Sequence, residues 1–168
     1  TASLALGDAI AATLSESRNF STEDFAKSHP NGSLGKRLLL KVSDIMHTGD
    51  QVPKIKPDQM LSEGLIEISQ KSLGMVAIID DKNHVIGIFT DGDLRRSLDA
   101  KIDIHKTSMK EVMSPNFKCA SSEMLAMDSM KLLKEFKITH LLITNESNNL
   151  LGALNIHDLL QAGIVRSI

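Results

Sequence analysis

The chain has 168 residues, 42% of them apolar and 24% charged, with a formal charge of −2. This is ordinary globular usage, enough for one compact domain or two small ones. The charge gives no electrostatic footing for DNA, RNA or an acidic membrane surface, and the absence of Trp and Tyr leaves few rings on which bases can stack. No apolar run approaches the roughly 20 residues that span a bilayer, and the sole cysteine, Cys119, has no internal partner, which points to a reducing cytoplasm.

Taken in chain order, Ala2–Ser17 reads as a helix with Leu4, Ile10 and Leu14 along one stripe. Asp8 and the lack of a basic leader argue against a secretory signal, and a start without Met inside a helix suggests a piece of a longer protein. Ser21-Thr-Glu-Asp24 has the form of a capping box, with a short helix through Phe25 and Ala26 after it. His29-Pro30-Asn31-Gly32 is dense turn chemistry, and Leu34–Leu40 reads as one more helical stretch. This region, to about Lys41, has no counterpart later in the chain.

From Val42 onward the chain repeats itself at an offset of about 65 residues, and a repeat decides architecture first. Each copy opens on a short acidic-apolar box, Val42-Ser-Asp-Ile-Met46 and Met109-Lys-Glu-Val-Met113. In the first copy a short edge strand over Val52–Lys56 precedes a helix from Gln59 to about Ser72, with Asp58 as its cap and Gly74 as its left-handed stop. Met75–Ile79 and Val85–Phe89 are apolar strands joined by a turn at Asp80–Asn83, and a helix starts near Asp91. In the second copy Phe117–Ala120, Glu123–Phe136, Thr139–Thr144, Leu150–Leu154 and a helix near Ile156 follow the same plan. The order β-α-β-β-α, read twice, predicts an α/β (α+β) protein with two small sheets, each backed by two helices. A unit this short buries its apolar face only against its twin, and twins leave a cleft between them.

The sharpest chemical signal is Thr90-Asp91-Gly92-Asp93, at the point where a strand gives way to a helix. A helix N-terminus offers N–H groups to an anion, and a carboxylate one turn in accepts hydrogen bonds from both hydroxyls of a ribose. Gly92 permits close approach of a ligand, and Arg95 and Arg96 can fork onto a phosphate. Asn155 and Asp158 stand at the matching positions of the second copy, with His157 between them. The same Thr-x-x-Asp pattern is also a helix-capping box, and a capped helix needs no ligand. The histidines show no metal spacing, Gly32-Ser-Leu-Gly-Lys36 lacks the Walker spacer, and the methionines at 124, 127 and 130 read as core filler or as a dimer face.

Both copies, with their shared Gly-x-x-(Thr/Asn)-x-x-Asp-Leu close, resemble the cystathionine-β-synthase-type (CBS) domain, and the pair resembles a Bateman module. That resemblance implies adenosine nucleotides or related ligands in the inter-repeat cleft, with Thr90, Asp93 and Asp158 at ribose and phosphate positions. Asn155 departs from the Thr or Ser of the pattern. Gly7-Asp8-Ala9 with Asp24-Phe25-Ala26 and His29-Pro30-Asn31-Gly32-Ser-Leu34-Gly35 is similar to the end of a sugar-isomerase (SIS) domain. Together with Val42–Asp50 and Gly87–Arg96, this arrangement resembles the bacterial D-arabinose 5-phosphate isomerases, which place an SIS domain before a CBS pair and feed Kdo synthesis for lipopolysaccharide.

The resemblance implies an SIS remnant at 1–41 and CBS repeats at 42–105 and 106–168. His29 would be a catalytic acid/base in the parent enzyme only, with no substrate pocket in this chain alone. No cofactor is required. The regulatory ligand would be CMP-Kdo, AMP or ATP, bound by Thr90, Asp91, Asp93, Arg95, Asn155, His157 and Asp158, with no metal. Expected partners are the SIS domain of the parent chain and further copies, as a dimer of CBS pairs and a tetramer of the whole enzyme. Nucleic acid, membrane and metal are not expected. The competing expectations are a purely structural oligomerisation module and a chain that is itself an isomerase.

Overall fold

The computed structural model describes residues 1–19, 24 and 38–164. They belong to two compact units, Thr1–Leu40 and Lys41–Ile168. In the first unit α1 spans Ala2–Ser17, the bounds its pattern predicts, yet Leu4 is 66% exposed and no residue of the helix is buried. Apart from Asp24, the capping box at 21–24, the helix through Phe25 and Ala26, and the turn with His29 lie outside the described residues; of the 34–40 stretch only Leu38 and Leu39 are seen in a helix.

The second unit carries the repeat. Its first half contains β1 (His47–Thr48), β2 (Lys54–Ile55), α2 (Leu61–Lys71), β3 (Met75–Ile79), β4 (Val85–Thr90) and α3 (Asp91–Asp99). Its second half contains α4 (Met109–Val112), β5 (Cys119–Ala120), α5 (Ala126–Phe136), β6 (His140–Thr144), β7 (Leu150–Asn155) and α6 (Ile156–Gln161). The order β-α-β-β-α is therefore present twice. One strand, β1, goes beyond the expected plan.

The long helices begin later than their patterns predict. Asp58 does not cap α2: Glu63 accepts the Met60 N–H at 2.8 Å, and Met60 is the cap position. The Leu61 and Ser62 amides instead donate to the Thr107 and Ile104 carbonyls of the inter-repeat linker, both at 2.9 Å. A tertiary contact thus satisfies helix-end donors that a side chain satisfies elsewhere. The left-handed stop falls on Ser72 (φ 57°), with Gly74 also at positive φ. In the second half α5 starts at Ala126 rather than near Glu123.

The sheets are β2-β3-β4 and β1-β7-β6-β5. In each, one short edge strand, β2 or β5, runs parallel to its neighbour, β3 or β6, and the hairpin is antiparallel. Every residue of β3 is buried. Met75, Ala77 and Ile79 join Leu142, Leu150 and Ala153 in the layer between the sheets, while Val76 and Ile78 join Leu61, Phe89 and Met109 under the helices. Alternate side chains point to opposite faces, so a strand covered on both sides reads as an unbroken apolar run.

The halves are tied by exchange. β1, from the first half, pairs with β7: His47 lies opposite Ala153 and Thr48 opposite Gly152. Ser114, from the second half, exchanges backbone bonds of 3.0 and 2.8 Å with Ile88 on β4. The acidic-apolar boxes also cross, with the Val42 amide on the Met124 carbonyl and the Met109 amide on the Gln59 carbonyl, both at 2.8 Å. At the hairpin tips Asn83 Nδ2 donates to the Leu150 carbonyl (3.0 Å) and Asn148 Nδ2 to the Val85 carbonyl (2.8 Å). These reciprocal contacts give the second unit a pseudo-twofold relation between its halves.

Candidate ligand-binding cleft

The motif at 90–93 folds as a cap. Thr90 is extended (φ −126°) as it leaves β4, and α3 starts at the next residue. Asp93 turns back so that one carboxylate oxygen accepts from both the Thr90 amide (2.8 Å) and the Thr90 hydroxyl (2.7 Å). Its other oxygen accepts from Arg96 Nη2 at 2.5 Å. Asp93 is buried, at 8% exposure, whereas the Arg96 side chain is largely in solvent. A buried carboxylate is therefore held on one oxygen by Thr90 and on the other by a solvent-exposed cation.

This carboxylate opens on a cavity of about 580 Å³ between the halves. The first half lines it with Ile88, Thr90, Asp91, Gly92, Asp93 and Arg96. Across from them, the second half contributes the segment 114–118 before β5 and the turn 136–140 between α5 and β6. The wall has two chemistries. Ile88, Phe117, Phe136 and Ile138 are apolar, while Arg96, Lys118 and Lys137 are cationic. Lys118 Nζ stands 3.9 Å from the Phe136 ring centroid, within cation–π range.

His140, at the start of β6, also lines this cavity, on the side of Asp91. Burial holds its imidazole below the ordinary value, against an opposing pull from the Asp91 carboxylate. Gly74 makes room for both. It sits at φ +72°, and a Cβ there would lie 2.9 Å from His140 Nε2 and 3.3 Å from Asp91 Oδ2. The half-buried Cys119 lies elsewhere; burial pushes its thiol up, which makes it a poor nucleophile.

The second motif is arranged differently. Asn155 Oδ1 accepts from the His157 and Asp158 amides (2.8 and 3.1 Å), and Asp158 Oδ2 accepts from the Asn155 amide at 2.7 Å. The other oxygen of Asp158 is 2.9 Å from Nε2 of His47, a residue of the opposite half. Asn155, His157 and Asp158 do not line the 580 Å³ cavity, and neither does Arg95; its neighbour Arg96 does. His29 is outside the described residues. Among the described residues no group of three or more His, Cys, Asp or Glu is placed to hold a metal ion, and no helix is long and apolar enough to cross a membrane.

Sequence reasoning missed the wall contributed by the second half. Ser114, Phe117, Lys118, Lys137 and Ile138 belong to no motif, and their only local signal is a position just outside a helix or strand. His140 stood out only as a histidine on a strand, with no motif around it.

The CBS domain family matches this chain twice, over residues 42–100 and 109–164. Over 165 residues the chain is 45% identical to the arabinose 5-phosphate isomerase KdsD of Pseudomonas aeruginosa, a match covering 98% of this chain and 51% of that protein. It thus spans about half the length of the curated relatives it matches. Two solved structures share the fold. One is CBSX2 in complex with AMP (TM-score 0.63, 21% identity, 74% of this chain and 96% of that one). The other is the CBS domain pair of protein MJ0100 in complex with 5′-methylthioadenosine and S-adenosyl-L-methionine (TM-score 0.66, 15% identity, 73% and 94%). With the duplicated motif, the exchanged boxes and the reciprocal hairpin contacts already in place, the two family matches make this chain a member of the CBS-domain family, with its two domains in tandem.

Proposed function

We propose that this CBS pair is the regulatory module of an arabinose 5-phosphate isomerase, an enzyme interconverting ribulose 5-phosphate and arabinose 5-phosphate, and that it binds a nucleotide or nucleotide-sugar beside Asp93. The observation that carries the reading is the cavity itself: a buried carboxylate, three cations and an apolar wall converge on one hollow built by both halves. A ribose diol would take the Asp93 oxygen now held by Arg96. That exchange would free the guanidinium to join Lys118 and Lys137 on a phosphate, where charge-assisted bonds are strongest. The base would lie against Ile88, Ile138 and Phe117. Because both halves form the walls, a ligand with different affinity for two relative positions of the halves would bias the attached SIS domain between its states. His29 would act as acid or base in that parent enzyme. CMP-Kdo, a product downstream of arabinose 5-phosphate, is the pathway candidate; AMP, the ligand of one related fold, and ATP, which the family resemblance implies, are the alternatives.

Calorimetric titration with CMP-Kdo, CMP, AMP and ATP tests the reading. Heat of binding is expected with at least one. Silence from all four, well above micromolar concentration, would transfer the role to assembly. That second reading has its own support, since the cap at Thr90 and Asp93 is complete without any ligand. As a cap alone, Asp93→Ala would cost about 1 kcal/mol of stability and change nothing else.

A further inference from the structure

We infer that the pair holds one anionic ligand, in the Asp93 cleft, and that the Asp158 cleft is closed by the chain's own side chains. The inference rests on the nucleotide reading above and sets its stoichiometry.

Strand register makes the halves comparable residue by residue. Lys54 lies opposite Ala77 as Cys119 lies opposite Leu142, and Met75 opposite Thr90 as His140 opposite Asn155. On that register the three cations of the first cleft have neutral counterparts in the second. Arg96 corresponds to Gln161, Lys137 to Ser72, and Lys118 to Pro53. A phosphate entering the second cleft meets no cation at these three positions, although Lys71 stands there in the place of Phe136.

The hydrogen-bonding groups of the second cleft are already taken. Both oxygens of Asp158 are occupied, one by the Asn155 amide and one by His47. The amides of His157 and Asp158 donate to the Asn155 side chain. Lys71, in the place of Phe136, donates through Nζ to the Asp50 carbonyl. A difference in the chain explains these contacts. Seven residues, His47–Pro53, lie between Met46 and β2, but only five, Ser114–Lys118, between Met113 and β5. The longer segment folds into a 3₁₀ turn at Gly49–Gln51, which presents the Asp50 carbonyl to Lys71. It also places an imidazole where the first cleft has the small Ser114. His47 thus holds Asp158 from across the pair, as Arg96 holds Asp93 from one helical turn away. The Arg96 side chain is 73% exposed, whereas that of His47 is 32% exposed and rises from a strand paired to β7.

The test uses the full chain, with AMP, ATP, CMP and CMP-Kdo as probes and the neutral nucleosides adenosine and cytidine as controls. Calorimetry is expected to give one site per chain. ¹⁵N spectra are expected to show shifts at Gly92 and His140 and none at His157. Arg96→Gln with Lys137→Ser gives the first cleft the lining of the second. It is expected to weaken the phosphorylated probe by about tenfold or more, with little effect on the nucleoside. His47→Ala is expected to leave affinity unchanged. Two sites per chain, or loss of binding in His47→Ala with the double variant unaffected, overturns the single-site inference and leaves the nucleotide reading standing. Absence of binding by every probe overturns both.

Discussion

The two clefts of this molecule grew from one repeat and reached opposite conditions. Around Asp93 the chain leaves a hollow of about 580 Å³ walled by both halves and dotted with cations. Around Asp158 it spends a histidine, a lysine and an asparagine on internal contacts. The backbone plan is the same in both, down to the hairpin asparagines at positive φ, Asn83 and Asn148. What differs is a two-residue change in loop length and a handful of side chains. A duplicated fold therefore guarantees two equivalent places, but not two equivalent sites. Chemistry at each place is set by residues arriving from the other copy, and these can diverge without disturbing either sheet.

The largest effects should come from the shared core. Phe89 and Leu154 are equivalent and fully buried. Phe89→Ala should cost about 3–5 kcal/mol and Leu154→Ala about 2–5 kcal/mol. Because the halves exchange strands and boxes, each change should move a single unfolding transition in denaturant. Two separate transitions would show that the halves fold independently and would break the comparison at its base.

Next come the glycines on which the exchanged segments rest. A Cβ on Gly152 would lie 2.6 Å from the backbone oxygen of His47, whereas on Gly87 it would meet the Met113 side chain, with Sδ at 2.5 Å. Backbone in a paired strand yields less readily than a thioether. Gly152→Ala should therefore cost about 1–3 kcal/mol, and Gly87→Ala less, by thermal or chemical denaturation. Equal costs would mean that the Met113 side chain is as fixed as the β1 backbone.

The caps sharpen the comparison of function. Asp93→Ala and Asp158→Ala should each cost about 1 kcal/mol, since both carboxylates accept the amide of the cap residue. Only Asp93→Ala should also abolish the rise in melting temperature produced by a bound nucleotide. If Asp158→Ala abolishes it instead, the assignment of the clefts is reversed.

The smallest effect is a pH dependence carried by His140. Burial depresses the His140 imidazole in the folded chain below its ordinary value near 6.5. The unfolded chain then binds the proton more readily. The stability of neutral His140 is complete above about pH 6.5 and declines as pH falls from there toward the depressed folded value. Melting curves between pH 7.5 and 5.5 should show part of the wild-type loss removed by His140→Gln. An unchanged pH slope would remove His140 from this account.

The amino-acid sequence by itself determined the repeat, the element order and the position of the first cap. These are local matters: apolar periods of two and 3.6 residues, turn residues at Asp80–Asn83, and a carboxylate three residues after Thr90. β3 was legible in full because a continuous apolar run lies between Gly74 and Asp80, and α1 because its helical pattern runs unbroken from Ala2 to Ser17. Helix starts were less so, since α2 is capped from the linker carbonyls of Ile104 and Thr107 rather than by Asp58. β1 was not legible at all, because two residues show no period and take their strand geometry from β7. Only the tertiary structure decided which carboxylate faces a hollow and which is held by a histidine 111 positions away. Pairing across a pseudo-twofold brings together residues that no spacing relates, so the walls of the cleft become visible only once the halves are placed against each other.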